Sequence, residues 1–192
     1  MRGGKTLGSP IALLIKNKDF ENWKNIMGTD FATDERKVTT PRPGHADLTG
    51  AIKYGHGDIR NVLERASARE TAIRTAVGAV CAELLEALGI KIYSRVVAVG
   101  NVKDETGYEK EDFEKRISAS EMRMYDKAAE EKAKKLIDEA KQKGESLGGV
   151  IEVIVKNVPA GLGSYVSYDR KADAALCGAM VSIQAIKAAE IG

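Results

Sequence analysis

The chain has two histidines, His45 and His56, and both fall within Pro41 to Thr71, beside a run of closely spaced arginines. Arginine offers a planar, permanently charged fork suited to phosphate or carboxylate, and histidine exchanges a proton near neutral pH. This stretch therefore sets both histidines beside the densest cationic arrangement in the chain, and chemistry is expected there. Pro41 and Pro43 each fix their own φ and disfavour helix in the residue before, which holds Arg42 on a stiff, extended arm. Gly44 frees the backbone to turn and carries His45 to the start of a helix expected over Ala46 to Tyr54, with Leu48, Ala51 and Ile52 on its apolar side. Arg42 and His45 are expected to lie next to one another.

Farther along, Ser67-Ala68-Arg69-Glu70 matches the S-x-x-E capping box, in which serine and glutamate side chains satisfy backbone donors at a helix start. A helix start exposes unpaired N–H groups and partial positive charge, and Arg65 and Arg69 flank this one. Two outcomes follow from those residues: an anion such as phosphate is held there, or Ser67 is an ordinary cap and the arginines are solvated or paired with Glu64 and Glu70. Gly4-Lys5-Thr6 is similar to the end of a P-loop, but the first glycine of that motif would fall before Met1 and no strand precedes it.

The elements that must position these residues belong to an ordinary globular chain. Its 192 residues, 43% hydrophobic and 30% charged, suffice for a single domain over 1–192 with its own core. With 30 Lys+Arg against 28 Asp+Glu the formal charge is +2, too balanced to favour nucleic acid or a membrane surface, so any basic site is local. Cys81 and Cys177 sit among apolar residues, which predicts reduced core thiols and no disulfide or metal pair. The first residues lack the apolar core of a signal peptide, and Ile11 to Ile15 is too short to span a bilayer, so a cytoplasmic location is expected.

Ile11 to Ile15 reads as a short strand, followed by an irregular connection over Asn22 to Val38 that either covers the site or forms a surface excursion. Ile73, Val77, Val80, Cys81, Leu84 and Leu88 recur at helical spacing, predicting a helix from the Ser67 region that buries one broad stripe and stops at Gly89. Ile90 to Val99 and Val150 to Val158 are rich in β-branched residues and read as strands. Asp126 predicts a cap for a helix over Lys127 to Lys143, with Ala128, Ala129, Ala133, Leu136, Ile137 and Ala140 inward and Gly144 as its stop. Residues 101–125 carry no assignable element. Gly161 to Ser164 reads as a turn, Tyr165 to Tyr168 as a strand, and Lys171 to Val181 as a helix with Ala175, Leu176 and Ala179 inward.

RPGHADL from Arg42, followed by KYGH-x-D-x-RN-x-x-ER-x-SARET, closely resembles chorismate synthase, and the likeness extends through RGGKTLGSPIALLIKNKD, GGVIEVIV and VPAGLGSYVSYDRK-x-D. The resemblance implies an α+β fold, a sandwich of helices between antiparallel sheets, incomplete in this chain and assembled as a homotetramer. It implies reduced FMN as cofactor and 5-enolpyruvylshikimate 3-phosphate as substrate, which loses its phosphate and a ring hydrogen to give chorismate without net redox change. His45 corresponds to the family's histidine beside the flavin, a proton donor, and Arg42 and Arg69 to substrate-binding arginines. Ser67 and Ala68, with His45 and Arg69, correspond to residues lining the flavin; His56 has no comparable role and reads as a structural or surface histidine. On this likeness the chain is the central part of the enzyme, without a preceding G-x-S-H-G segment or a following segment with the flavin-assisting aspartate. Alone it is expected to be inactive or severely impaired, retaining partial flavin or anion binding or self-association.

Overall fold

The computed structural model describes residues 1–31, 33–66 and 68–192, without the side chain of Ala68. Six helices and three strands alternate along the described chain: α1 (Asp47–Tyr54), α2 (Arg60–Leu63), α3 (Ala68–Ala87), β1 (Lys91–Val99), β2 (Val102–Lys103), α4 (Phe113–Ala119), α5 (Lys127–Lys143), β3 (Gly149–Lys156) and α6 (Ala172–Val181). The chain divides into two units, Met1–Cys81 with Gly161–Gly192, and Ala82–Ala160.

In the second unit β1 is central in a three-stranded antiparallel sheet of order β2-β1-β3. Its register runs from Lys91 opposite Lys156 to Val99 opposite Gly149, with an irregularity between Val96 and Ala98. Gly100, at φ 55, begins the two-residue turn into β2, a positive dihedral that two-residue hairpins need and glycine supplies without strain. Asp126 caps α5 by accepting from the Ala128 N–H at 2.8 Å, and Gly144 ends it in the left-handed conformation, as the sequence predicts. The core has two parts: Phe113, Ile117 and Ile154 with Tyr93 and Tyr125, and Met124, Ala129 and Ala133 with Val96, Val99 and Val102.

α4 is the element that periodicity missed, because seven residues show barely two turns of pattern and only Phe113 and Ile117 of it are buried. Two buried charges hold its surroundings. Arg95 donates to Glu152 Oε2 at 2.6 Å and to the Thr106 carbonyl, with its guanidinium 5.4 Å from the Phe113 ring. Asp104, 1% exposed, accepts from the backbone N–H groups of Thr106, Tyr125 and Asp126 at 3.1, 2.6 and 3.0 Å. Burial opposes its ionisation, but these donors together hold the carboxyl below the usual range.

In the first unit α1 and α2 pack closely at Gly50, where an added methyl would come within 2.6 Å of Val62 Cγ1. Irregular 33–38 is held by Arg60, 5% exposed, which donates to the carbonyls of Glu35 at 2.6 Å and Thr33 at 2.9 Å and to Asp58 at 2.8 Å. The expected surface excursion is thus anchored at its C-terminal end.

Several expectations fail for one reason. Ile11 to Ile15 forms no strand and is exposed, because no neighbouring strand completes a ladder there. α3 forms where expected, yet Val77, Val80, Leu84 and Leu88 are exposed, as is Cys81. Leu48 and Ile52 on α1 and Ala175, Leu176 and Ala179 on α6 are likewise exposed, and so are Ala128 and Ile137 on α5. Tyr165 to Tyr168 contains no strand, its end instead starting a 3-10 turn at Tyr168. Helical spacing decides which side chains share a face, but a face is buried only where another surface of the fold lies against it.

Ile117 is 0% exposed beneath the sheet. Ile117→Ala is expected to cost about 2–5 kcal/mol through lost contacts and the cavity left behind, seen as a lower urea midpoint by circular dichroism.

Candidate functional site

The sequence Arg42-Pro43-Gly44-His45 folds as a turn with proline and glycine at its centre. Gly44 takes φ 68, and the His45 N–H reaches back to the Arg42 carbonyl at 3.4 Å. Proline at the first central position and a positive φ at the second are the pattern of a type II turn. Immediately after it α1 starts at Asp47, so three chemically active residues are brought together within six residues of chain.

The residue at the centre of the group is Asp47, whose side chain is 1% exposed. Its Oδ2 accepts from the Arg42 backbone N–H at 2.9 Å and from Arg42 Nε at 3.0 Å. Its Oδ1 accepts from Arg42 Nη2 at 3.2 Å and from His45 Nδ1 at 2.5 Å. Arg42 Nη2 also lies 2.9 Å from His45 Nε2 and 3.1 Å from its Nδ1. The 2.5 Å contact of Nδ1 with a carboxylate oxygen, which can only accept, favours the Nδ1–H form of the neutral ring. The Arg42 guanidinium holds the Asp47 carboxyl well below the usual carboxylate range; burial opposes this, and the Arg42 N–H and His45 add to it.

Arg42 and His45 are therefore adjacent, as expected, and they face solvent with side chains 55% and 30% exposed. Asp47 was missed. Its one signal was position, two residues after a histidine and five after an arginine at a helix start, and that pattern alone does not separate a helix-start aspartate from a site residue.

Arg69 lies in a different place, at the first turn of α3, where it donates to Glu64 at 2.8 Å. Of the two outcomes open at this helix start, the pairing with Glu64 is present. Arg69 nevertheless borders a concavity of about 550 Å³ whose walls include Leu13, Leu14, Ile15, Lys16, Arg65 and Ile73. Arg42, His45 and Asp47 do not border it. Ser67 lies outside the described residues, and so does the side chain of Ala68. His56 follows the left-handed Gly55 after α1, its N–H bonded to the Ala51 carbonyl at 3.0 Å and its ring 6.1 Å from that of Tyr54, which is a structural setting.

The family model for chorismate synthase matches residues 1–192, the whole chain. The chain belongs to the chorismate synthase family. It is 52% identical over 200 residues to a chorismate synthase of Bacillus pumilus and 54% identical over 196 residues to one of Caldicellulosiruptor bescii, all of this chain and 51% of each relative being covered. It thus spans about half the length of those relatives. A crystal structure of chorismate synthase superposes with a TM-score of 0.81 at 45% identity, over all of this chain and 53% of that one. The α+β class expected from the motifs is the class of the fold, helices with a small antiparallel sheet. Among the described residues no helix is long and apolar enough to cross a membrane.

The depressed pKa of Asp47 has a definite consequence for stability. A carboxyl depressed in the folded state adds stability that is complete above its unfolded value of about 3.9 and is lost as pH falls through the folded value. Wild-type melting temperature is expected to fall on acidification below about pH 4, and Asp47→Asn to remove part of that fall while lowering the plateau at neutral pH. Thermal scans of the two proteins from neutral pH downward check this; parallel curves would show that Asp47 is not depressed.

Proposed function

We propose that this chain forms the central part of an FMN-dependent chorismate synthase, in which 5-enolpyruvylshikimate 3-phosphate loses phosphate and a ring hydrogen to give chorismate. The observation that carries the reading is the Arg42–His45–Asp47 group, an anion-binding fork fixed against a histidine, within a chain that the family matches end to end. Arg42 would hold an anionic group of the substrate, and His45, at its exposed edge, would pass a proton to the flavin region. Arg69 would supply a second cationic contact.

The residues around the concavity suit a flavin. Leu13, Leu14, Ile15 and Ile73 offer apolar wall for a ring, and Lys16, Lys18, Arg65 and Arg69 outnumber Glu64 and Glu70 there, leaving net positive charge for a phosphate. Its volume of about 550 Å³ is in the range of ligand pockets. When bound, the reduced flavin supplies reducing equivalents that return within each turnover. The reading includes Ser67 and Ala68 at the flavin, a cytoplasmic location and a homotetramer. Exposed apolar side chains on α3 and along β3, Val80, Leu84, Ile151 and Val153 among them, suit burial in an assembly.

A second reading is that the chain binds flavin or anions, or associates with itself, without turnover. It is favoured because Arg42 and His45 do not border the concavity that Arg69 borders.

Fluorescence titration of FMN with the 192-residue chain is expected to show binding that Arg69→Ala weakens. Completed by the other half of the enzyme, the chain is expected to release chorismate in an anaerobic assay with reduced FMN and the phosphorylated substrate, which the second reading does not allow. In a chimera joining this chain to the remaining half of the Bacillus pumilus relative, His45→Ala is expected to lower turnover by about a hundredfold or more. Undiminished turnover would remove His45 from the mechanism.

A further inference from the structure

We propose that Asp47 is the positioning residue of this site: its buried carboxylate selects the Nδ1–H tautomer of His45, leaving Nε2 for proton exchange, and aligns Arg42 with one guanidinium nitrogen turned out for an anion. This rests on the reading of His45 and Arg42 as proton-transfer and anion-binding groups.

Three observations carry it. First, Asp47 begins α1, yet its hydrogen bonds run backwards to Arg42 and His45 and none goes to an amide of α1 among the described residues. A helix-capping role, the ordinary reason for aspartate at that place, does not account for its burial. Second, both oxygens are fully used, Oδ2 by the backbone and Nε of Arg42, Oδ1 by Arg42 Nη2 and His45 Nδ1. A carboxylate withdrawn from water and bonded on all sides cannot turn, so each of its partners takes a fixed direction. Third, the partners differ in exposure: the Asp47 side chain is 1% exposed, that of Arg42 55% and that of His45 30%. The buried member thus has no access to a ligand and acts through the two that have it.

The consequence for each partner is specific. A proton on His45 Nδ1 is held against Asp47, so a proton passed outward travels through Nε2. Arg42 Nη2 lies against the ring at 2.9 Å from Nε2 and 3.1 Å from Nδ1. Arg42 Nε and Nη2 are both committed to Asp47 and His45, while Nη1 has no hydrogen-bond partner among the described residues. An asparagine in place of aspartate preserves the shape but can turn its NH₂ group to the histidine and select the opposite tautomer.

The test is a long-range proton–nitrogen correlation spectrum of the imidazoles in the ¹⁵N-labelled 192-residue chain, at a pH where histidine is neutral. With two histidines in the chain, His56→Gln assigns both signals. The expected result is His45 with Nδ1 protonated and Nε2 bare, and in Asp47→Asn, shown by circular dichroism to be folded, a switch to the Nε2–H form with loss of the Arg42 Nε–H signal from slow exchange. A wild-type His45 in the Nε2–H form overturns the proposal whether or not the variant folds. So does a folded Asp47→Asn whose His45 keeps the Nδ1–H form. Neither flavin nor substrate is present, so these outcomes are independent of the functional reading, which fails separately if the chain neither binds FMN nor supports turnover.

Discussion

A charge withdrawn from water must find enough partners to replace its hydration, and in this chain that requirement organises the segments that have no regular structure of their own. Asp47 gathers Arg42 and His45 at the start of α1. Arg60, with Asp58, ties residues 33–38 to α2. Arg95 and Asp104 do the same in the second unit, joining the strands to the segments before α4 and α5. Removing one member of such a set leaves the other buried without a partner, so these positions tolerate change less than their polar side chains suggest.

The same logic ties fold to site. A guanidinium and an imidazole on a flexible loop would sample many relative orientations, and binding an anion would have to order both. Here the turn at Pro43 and Gly44 sets the backbone, and Asp47 sets the side chains. What faces solvent is already arranged. By contrast Arg69 belongs to a helix start beside a concavity, where it donates to Glu64.

Much of the local structure was legible in the residues because local rules decide it. Asp126 and Gly144 bound α5, the β-branched run from Ile90 becomes β1, and the Pro-Arg-Pro-Gly-His series predicts the neighbouring placement of Arg42 and His45. The motifs that resemble chorismate synthase likewise point to the family that the whole-chain match establishes. α4 was not legible, since a helix of seven residues with two buried side chains leaves too short a pattern.

The amino-acid sequence by itself determined where helices start and stop, which residues share a face, and that arginine and histidine meet near residue 45. Only the tertiary structure decided which faces are covered, because the exposed apolar stripe of α3 and the buried one of α5 obey the same spacing and differ in whether another surface packs against them. Only it, too, singled out Asp47. A carboxylate at a helix start reads as a cap in any sequence, and its conversion into the hub of a site depends on the turn that folds Arg42 and His45 back over it and closes it off from water.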